Sequence, residues 1–92
     1  MKKKTATMIL YEKHFPKAAG KQALYKCEPP IDGHKYVVAS SVVAMFSGPE
    51  TYLFPATAKG EIKEWVELSP SQRGTLSAKK VFKDAGYEVI EG

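Results

Sequence analysis

Cysteine is almost missing from this chain: Cys27 stands alone. No intramolecular disulfide can form, so packing alone must hold the fold together. A single thiol also suits a reducing compartment better than a secreted setting. Long apolar runs are missing too. The longest apolar-leaning stretch, 36–46, is broken by Ser40 and Ser41 and is about half the length of a membrane-spanning helix. The start, Met1 to Lys4, is basic like the first part of a signal peptide. The apolar run behind it ends at Tyr11, before Glu12, Lys13 and His14, too soon for a signal-peptide core. The expectation is a cytoplasmic chain that does not contact membrane.

Patterns that carry chemistry are scarce as well. A cysteine nucleophile needs a histidine and an orienting group beside it. Asp32 and His34 are the nearest candidates, but Pro29, Pro30 and a turn separate them from Cys27. A metal site needs three or four ligands at workable spacing, whereas the histidines, His14 and His34, lie far apart in the sequence. No phosphate-binding loop, dinucleotide fingerprint or nucleophile elbow occurs. The carboxylates Glu61, Glu64 and Glu67 interleave with Lys63, as on a solvated strand face or a charged sheet edge. The sequence therefore points to binding rather than catalysis, with no catalytic residue, no cofactor and no metal ion.

Ninety-two residues suffice for a single domain with a thin core. The hydrophobic content of 43% and aromatic content of 11% are those of a globular chain. Charge is uneven. Residues 1–46 carry eight lysines against three acids, a balance of +5, and residues 47–92 carry five lysines and Arg73 against seven acids. A basic half can serve solubility, or it can face phosphate or an acidic protein. Residues 1–4 read as a flexible basic tail.

Strands are expected at 5–12, at 22–28 and at 34–46. Pro29-Pro30 should end the second, because neither proline can donate to a ladder. Asp32-Gly33 is a tight-turn signal. Ala23, Tyr25 and Cys27 share one face of the second strand and Gln22, Leu24 and Lys26 the other. The apolar run 36–39 suggests a strand covered on both faces, with Ser40-Ser41 marking a bend or bulge. A short strand is expected at 51–54. Residues 61–68 read either as a strand paired with it or as a helical turn; the preceding Gly60 turn favours the strand, with Ile62, Val66 and Leu68 inward and Trp65 outward. After a polar loop at 69–74, Ala78, Val81, Phe82 and Ala85 form the stripe of an amphipathic helix over 75–85. Thr75 or Ser77 can cap its start, and Gly86 with a Phe82–Tyr87 contact its end. A last strand follows at 87–90. The fold class is α+β: a mainly antiparallel sheet of five or six strands with one C-terminal amphipathic helix.

Candidate contact residues follow from chemistry. Lys21, Lys26 and Lys35 lie close to Tyr25 and Tyr36 in sequence, and lysines beside stacking rings hold single-stranded nucleic acid. Trp65 and Arg73 are each the sole residue of their type, and both types are frequent interface anchors. The bland alternative is that the tyrosines pack, the lysines are solvated and Trp65 caps the core.

The stretches Thr51-Tyr52-Leu53-Phe54-Pro55, Gly60-Glu61-Ile62, Trp65-Val66-Glu67-Leu68 and Ala85-Gly86-Tyr87 give the chain a character that resembles the small proteins by which bacteriophages inhibit type I CRISPR surveillance complexes. The resemblance covers less than half of the chain and contains no diagnostic motif. It implies a non-catalytic inhibitor in the host cytoplasm that binds a CRISPR ribonucleoprotein and blocks target DNA. With a net basic chain, it also implies a wedge against protein subunits with lysines on guide-RNA phosphates, not an imitation of duplex DNA. Two other classes stand beside it: a nucleic-acid-binding module, and an interaction subunit that self-associates.

Overall fold

The computed structural model describes residues 4–10, 21–46 and 48–91. Six strands and one helix follow in chain order: β1 (Lys4–Leu10), β2 (Lys21–Ile31), β3 (His34–Ala44), β4 (Gly48–Pro55), β5 (Gln72–Arg73), α1 (Ala78–Asp84) and β6 (Tyr87–Glu91). They build one sheet in the order β5-β4-β3-β2-β1-β6. Every neighbouring pair is antiparallel except β1 and β6, which are parallel. The parallel pair follows from the connection: α1 carries the chain from the β5 edge across one face to the opposite edge. Among the described residues the α+β class, a mainly antiparallel sheet within the expected five or six strands and one C-terminal helix are as the sequence indicates.

Alternation divides the sheet residues between two faces. On the helix side, Tyr25, Val37, Leu53 and Tyr87 pack with Val81 and Phe82 of α1 into the main core. Phe82 is fully buried, its ring centroid 4.6 Å from Tyr25 and 6.4 Å from Tyr87. Leu24, Val38 and Ala56 form a smaller cluster on the other face. Val37 and Val38 are both wholly buried, so this part of β3 is covered on both sides, as its apolar run suggests.

Helix α1 begins at Ala78, where the stripe starts and three residues after the expected start at 75, because of the two expected caps it is the Ser77 hydroxyl that accepts from the backbone N–H of Lys80. Its end is a glycine stop: Gly86, at φ +88°, donates its N–H to the Lys83 carbonyl while Tyr87 packs beside Phe82. Only glycine adopts that left-handed conformation without strain.

Several local expectations need correction. Strand β2 stays extended through Pro29 and Pro30 to Ile31, although its pairing with β3 stops at Lys26 and resumes at Ile31. The prolines interrupt the ladder, not the strand. Ser40 and Ser41 cause no bulge; their register with β4 is continuous and both are buried. Ser41 donates to the Thr51 hydroxyl at 3.0 Å, and Thr51 donates onward to the Thr75 carbonyl at 2.8 Å. Lys4 is the first residue of β1, not tail, with its ammonium 5.6 Å from the centre of the Tyr87 ring. The rest of the expected tail, 1–3, and the end of the first expected strand, 11–12, lie outside the described residues.

Residues 61–68 form neither strand nor helix. They meet Ala56, just past β4, at one isolated bridge with Ile62, and β4 itself at two bonds: Lys63 N–H to the Pro55 carbonyl and Leu68 N–H to the Leu53 carbonyl. Pro55 has no N–H to return, and the Leu53 N–H is given to the Ser71 hydroxyl. A regular ladder is thereby denied both reciprocal bonds. The chain spends 64–67 spanning only the stretch of β4 from Pro55 to Leu53, so these residues loop outward. Leu68 is buried, but Val66, expected inward, is exposed.

Candidate functional site

The sheet face opposite α1 gathers the aromatic residues that the core does not use. Register places Leu24, Val38 and Phe54 side by side across β2, β3 and β4, with Lys26 beside Tyr36 in one flanking row and Gln22, Ser40 and Tyr52 in the other. The 64–67 excursion sets Trp65 against this row. Its ring centroid lies 5.2 Å from that of Phe54 in an edge-on arrangement, and Phe54 lies 6.0 Å from Tyr52. Edge-to-face pairs of this kind add about 0.5–1.5 kcal/mol to simple burial. Phe54 is nearly buried, whereas Trp65 remains 73% exposed. Trp65 thus points outward as expected, on a loop instead of a strand.

Glu50 closes one end of this face. Its carboxylate, almost buried, meets Arg73 Nε at 3.0 Å and accepts the Tyr52 hydroxyl. That bond to Glu50, then burial and the charges of Glu50 and Glu67, raise the Tyr52 phenol above its ordinary range. Arg73 lies in β5 and not in an irregular loop, because its residue pairs with Glu50 across the ladder.

The five candidate contact residues divide between the two faces. Lys26, Trp65 and Arg73 belong to the open face; Lys26 is 3.4 Å from Glu28. Lys21 and Lys35 fall on the helix side by alternation, in register with or next to residues of the main core. The structure therefore brings three of the five together and separates two. Sequence reasoning missed Tyr52 and Phe54 as members of this face. Their alternation with Leu53 in β4 was the available signal.

Other features offer less. Among the described residues no group of three or more His, Cys, Asp or Glu is placed to hold a metal ion, and no helix is long and apolar enough to cross a membrane. Cys27 lies in the main core, and burial pushes its thiol up to about 12, a poor setting for a nucleophile. A shallow hollow of about 360 Å³ between Pro70, Gln72, Val81 and Asp84 is bordered by the Lys80–Asp84 ion pair at 2.8 Å. At the far end of the β3–β4 hairpin, Val43, Met45 and Phe46 project into solvent. No family model matches the chain, and neither a curated protein nor a solved structure matches it.

Proposed function

We propose that the chain is a non-catalytic binding domain that docks a partner protein on the open face of its sheet, with Trp65 as the central anchor. The observation that carries this reading is the exposed indole of Trp65 resting on Phe54 beside Tyr52. A tryptophan supported from below and bare above is the kind of residue that dominates binding energy once a partner excludes water from it.

The resemblance to small phage inhibitors gives this reading a partner. It would be a protein subunit of a type I CRISPR ribonucleoprotein in the host cytoplasm, and the bound domain would block target DNA by occupying its path. Lys26, beside Tyr36 on the same face, supports a second reading in which single-stranded RNA stacks on the ring and its phosphates meet the lysine. That reading requires binding to bare RNA that weakens steeply with salt.

The test is capture of the ribonucleoprotein from host lysate on the immobilised chain, with assay of co-purifying RNA and of target-DNA binding by the captured complex. Trp65→Ala is expected to weaken capture by about thirty-fold or more, the effect of losing a hot-spot residue. Undiminished capture by that variant would overturn the docking reading. Retention of bare RNA in a gel-shift salt titration would favour the second one.

A further inference from the structure

The charges around Trp65 are opposite in sign to the charge of the chain as a whole. The chain carries +4, yet Glu61, Glu64 and Glu67, which flank Trp65 in the sequence, are all exposed, with exposed Lys59 and Lys63 as the nearest cations along the chain. Among the described residues none of these three carboxylates is in an ion pair. Among the described residues, two cations of this face are matched, Lys26 by Glu28 and Arg73 by Glu50. Glu88 alternates onto the same face from β6. Four lysines of the described residues lie away from this face: Lys79 and Lys83 are exposed on α1, whose Val81 and Phe82 face the core, and Lys21 and Lys35 alternate onto the helix side.

We infer that the open face of the sheet is built for a basic protein surface, with an arginine or lysine of the partner seated on Trp65 and its neighbours meeting Glu61, Glu64 and Glu67. This rests on the docking reading above and supplies the partner's chemistry. Two features select the same ligand by different physics. An exposed indole attracts a cation through its ring quadrupole, guanidinium above all, and three unmatched carboxylates attract the same charge over a longer range. Phosphates approaching Trp65 would meet those carboxylates and be repelled, so RNA is not the ligand of this face.

Trp65 is the sole tryptophan, so selectively excited tryptophan emission reports on this face alone. The test titrates the full chain at low salt with a nona-arginine peptide and, separately, with single-stranded oligouridylate. Nona-arginine is expected to shift the Trp65 emission, and oligouridylate to leave it unchanged. The triple variant Glu61→Lys, Glu64→Lys, Glu67→Lys should weaken the peptide about ten-fold or more, whereas Glu91→Lys, an acid on the helix side, should change it less than about two-fold. The triple Glu→Gln variant, which removes charge without adding any, should show the same loss and guards against misfolding of the lysine variant. An emission change with oligouridylate but not with nona-arginine would overturn the inference, as would undiminished peptide binding by the triple variants. If that happens while Trp65→Ala still abolishes ribonucleoprotein capture, docking stands and only the basic partner falls. If Trp65→Ala leaves capture intact, the docking reading itself has failed.

Discussion

Arg73 Nε lies 3.0 Å from Glu50 Oε2, joining a side chain that is 75% exposed to one that is 6% exposed. The acid depends on the arginine more than the reverse, because it is the acid that has lost its water. Arg73→Ala leaves the Glu50 carboxylate with the Tyr52 hydroxyl but without its cation. The expected cost is about 1–3 kcal/mol, measured as a lower midpoint in urea unfolding. Glu50→Gln, which leaves no charge to strand, should cost less. The reverse order would mean that the Glu50 carboxylate contributes chiefly through bonds other than the one to Arg73.

A second clasp joins elements far apart in sequence. Asp32, in the β2–β3 turn at φ +49°, accepts the Ser69 N–H at 2.8 Å and the Ser69 hydroxyl at 2.7 Å. The backbone bond first, and then the side-chain bond, hold the Asp32 carboxyl below the ordinary aspartate range. A folded-state value below the unfolded one means that the stabilisation is present above about pH 4. It is lost as pH falls through the folded value. Asp32→Asn keeps a residue that tolerates left-handed backbone and removes only the charge. The variant should be less stable than the parent by under about 1 kcal/mol at pH 7, since the clasp is exposed. That gap should close by about pH 2, as read from paired urea titrations; a gap independent of pH would exclude the charge as its source.

How far the fold was legible depended on how local its determinants are. Helix α1 was readable because Ser77, the Val81–Phe82–Ala85 stripe and Gly86 all act within a few residues of one another. The 61–68 segment was not. Its alternation of Ile62 and Leu68 with polar residues reads as a strand, but a strand needs a partner with free donors and acceptors. Pro55 and the Leu53–Ser71 bond withhold those donors from β4. The open face was hidden by register. Counting back from the Asp32–Gly33 turn places Glu28 opposite Val37, whereas the irregularity at Pro29-Pro30 puts Tyr25 there. That slip decides which β2 residues stand beside Tyr36 and Val38. Composition by halves likewise did not single out the acidic neighbours of Trp65, because a balance over 46 residues averages away Glu61, Glu64 and Glu67, which flank it in the sequence.

Cys27 should behave as a small core residue rather than a reactive thiol. It has no exposed surface, and burial pushes its pKa up to about 12, so thiolate is scarce at pH 8 and hard to reach. Labelling with a thiol-exchange chromophore is expected to be negligible in buffer and complete within the dead time in concentrated urea. Cys27→Ala should keep the fold at a cost of about 1 kcal/mol, whereas Cys27→Ser should cost more, because it buries a hydroxyl among apolar neighbours. Rapid labelling of the native chain would show that the core opens far more readily than this packing implies.

The apolar tip of the β3–β4 hairpin should matter to association and hardly at all to stability. Met45 is 89% and Phe46 96% exposed, so truncating them removes almost no area that folding takes from water. Met45→Ser with Phe46→Ser is expected to shift the unfolding free energy by less than about 0.5 kcal/mol. Phe82→Ala, in the centre of the main core, should cost about 3–5 kcal/mol. The same exposure makes the tip the most adhesive apolar point of the described surface, with Val43 beside it. Static light scattering over a concentration series is expected to rise less steeply for the double serine variant than for the parent, with lower binding of a hydrophobic dye. If the two chains scatter identically and the parent rises with concentration, self-association runs through another surface. The outer edge of β6, which among the described residues pairs with β1 alone, is then the next to change, because a strand edge is a template for a second chain.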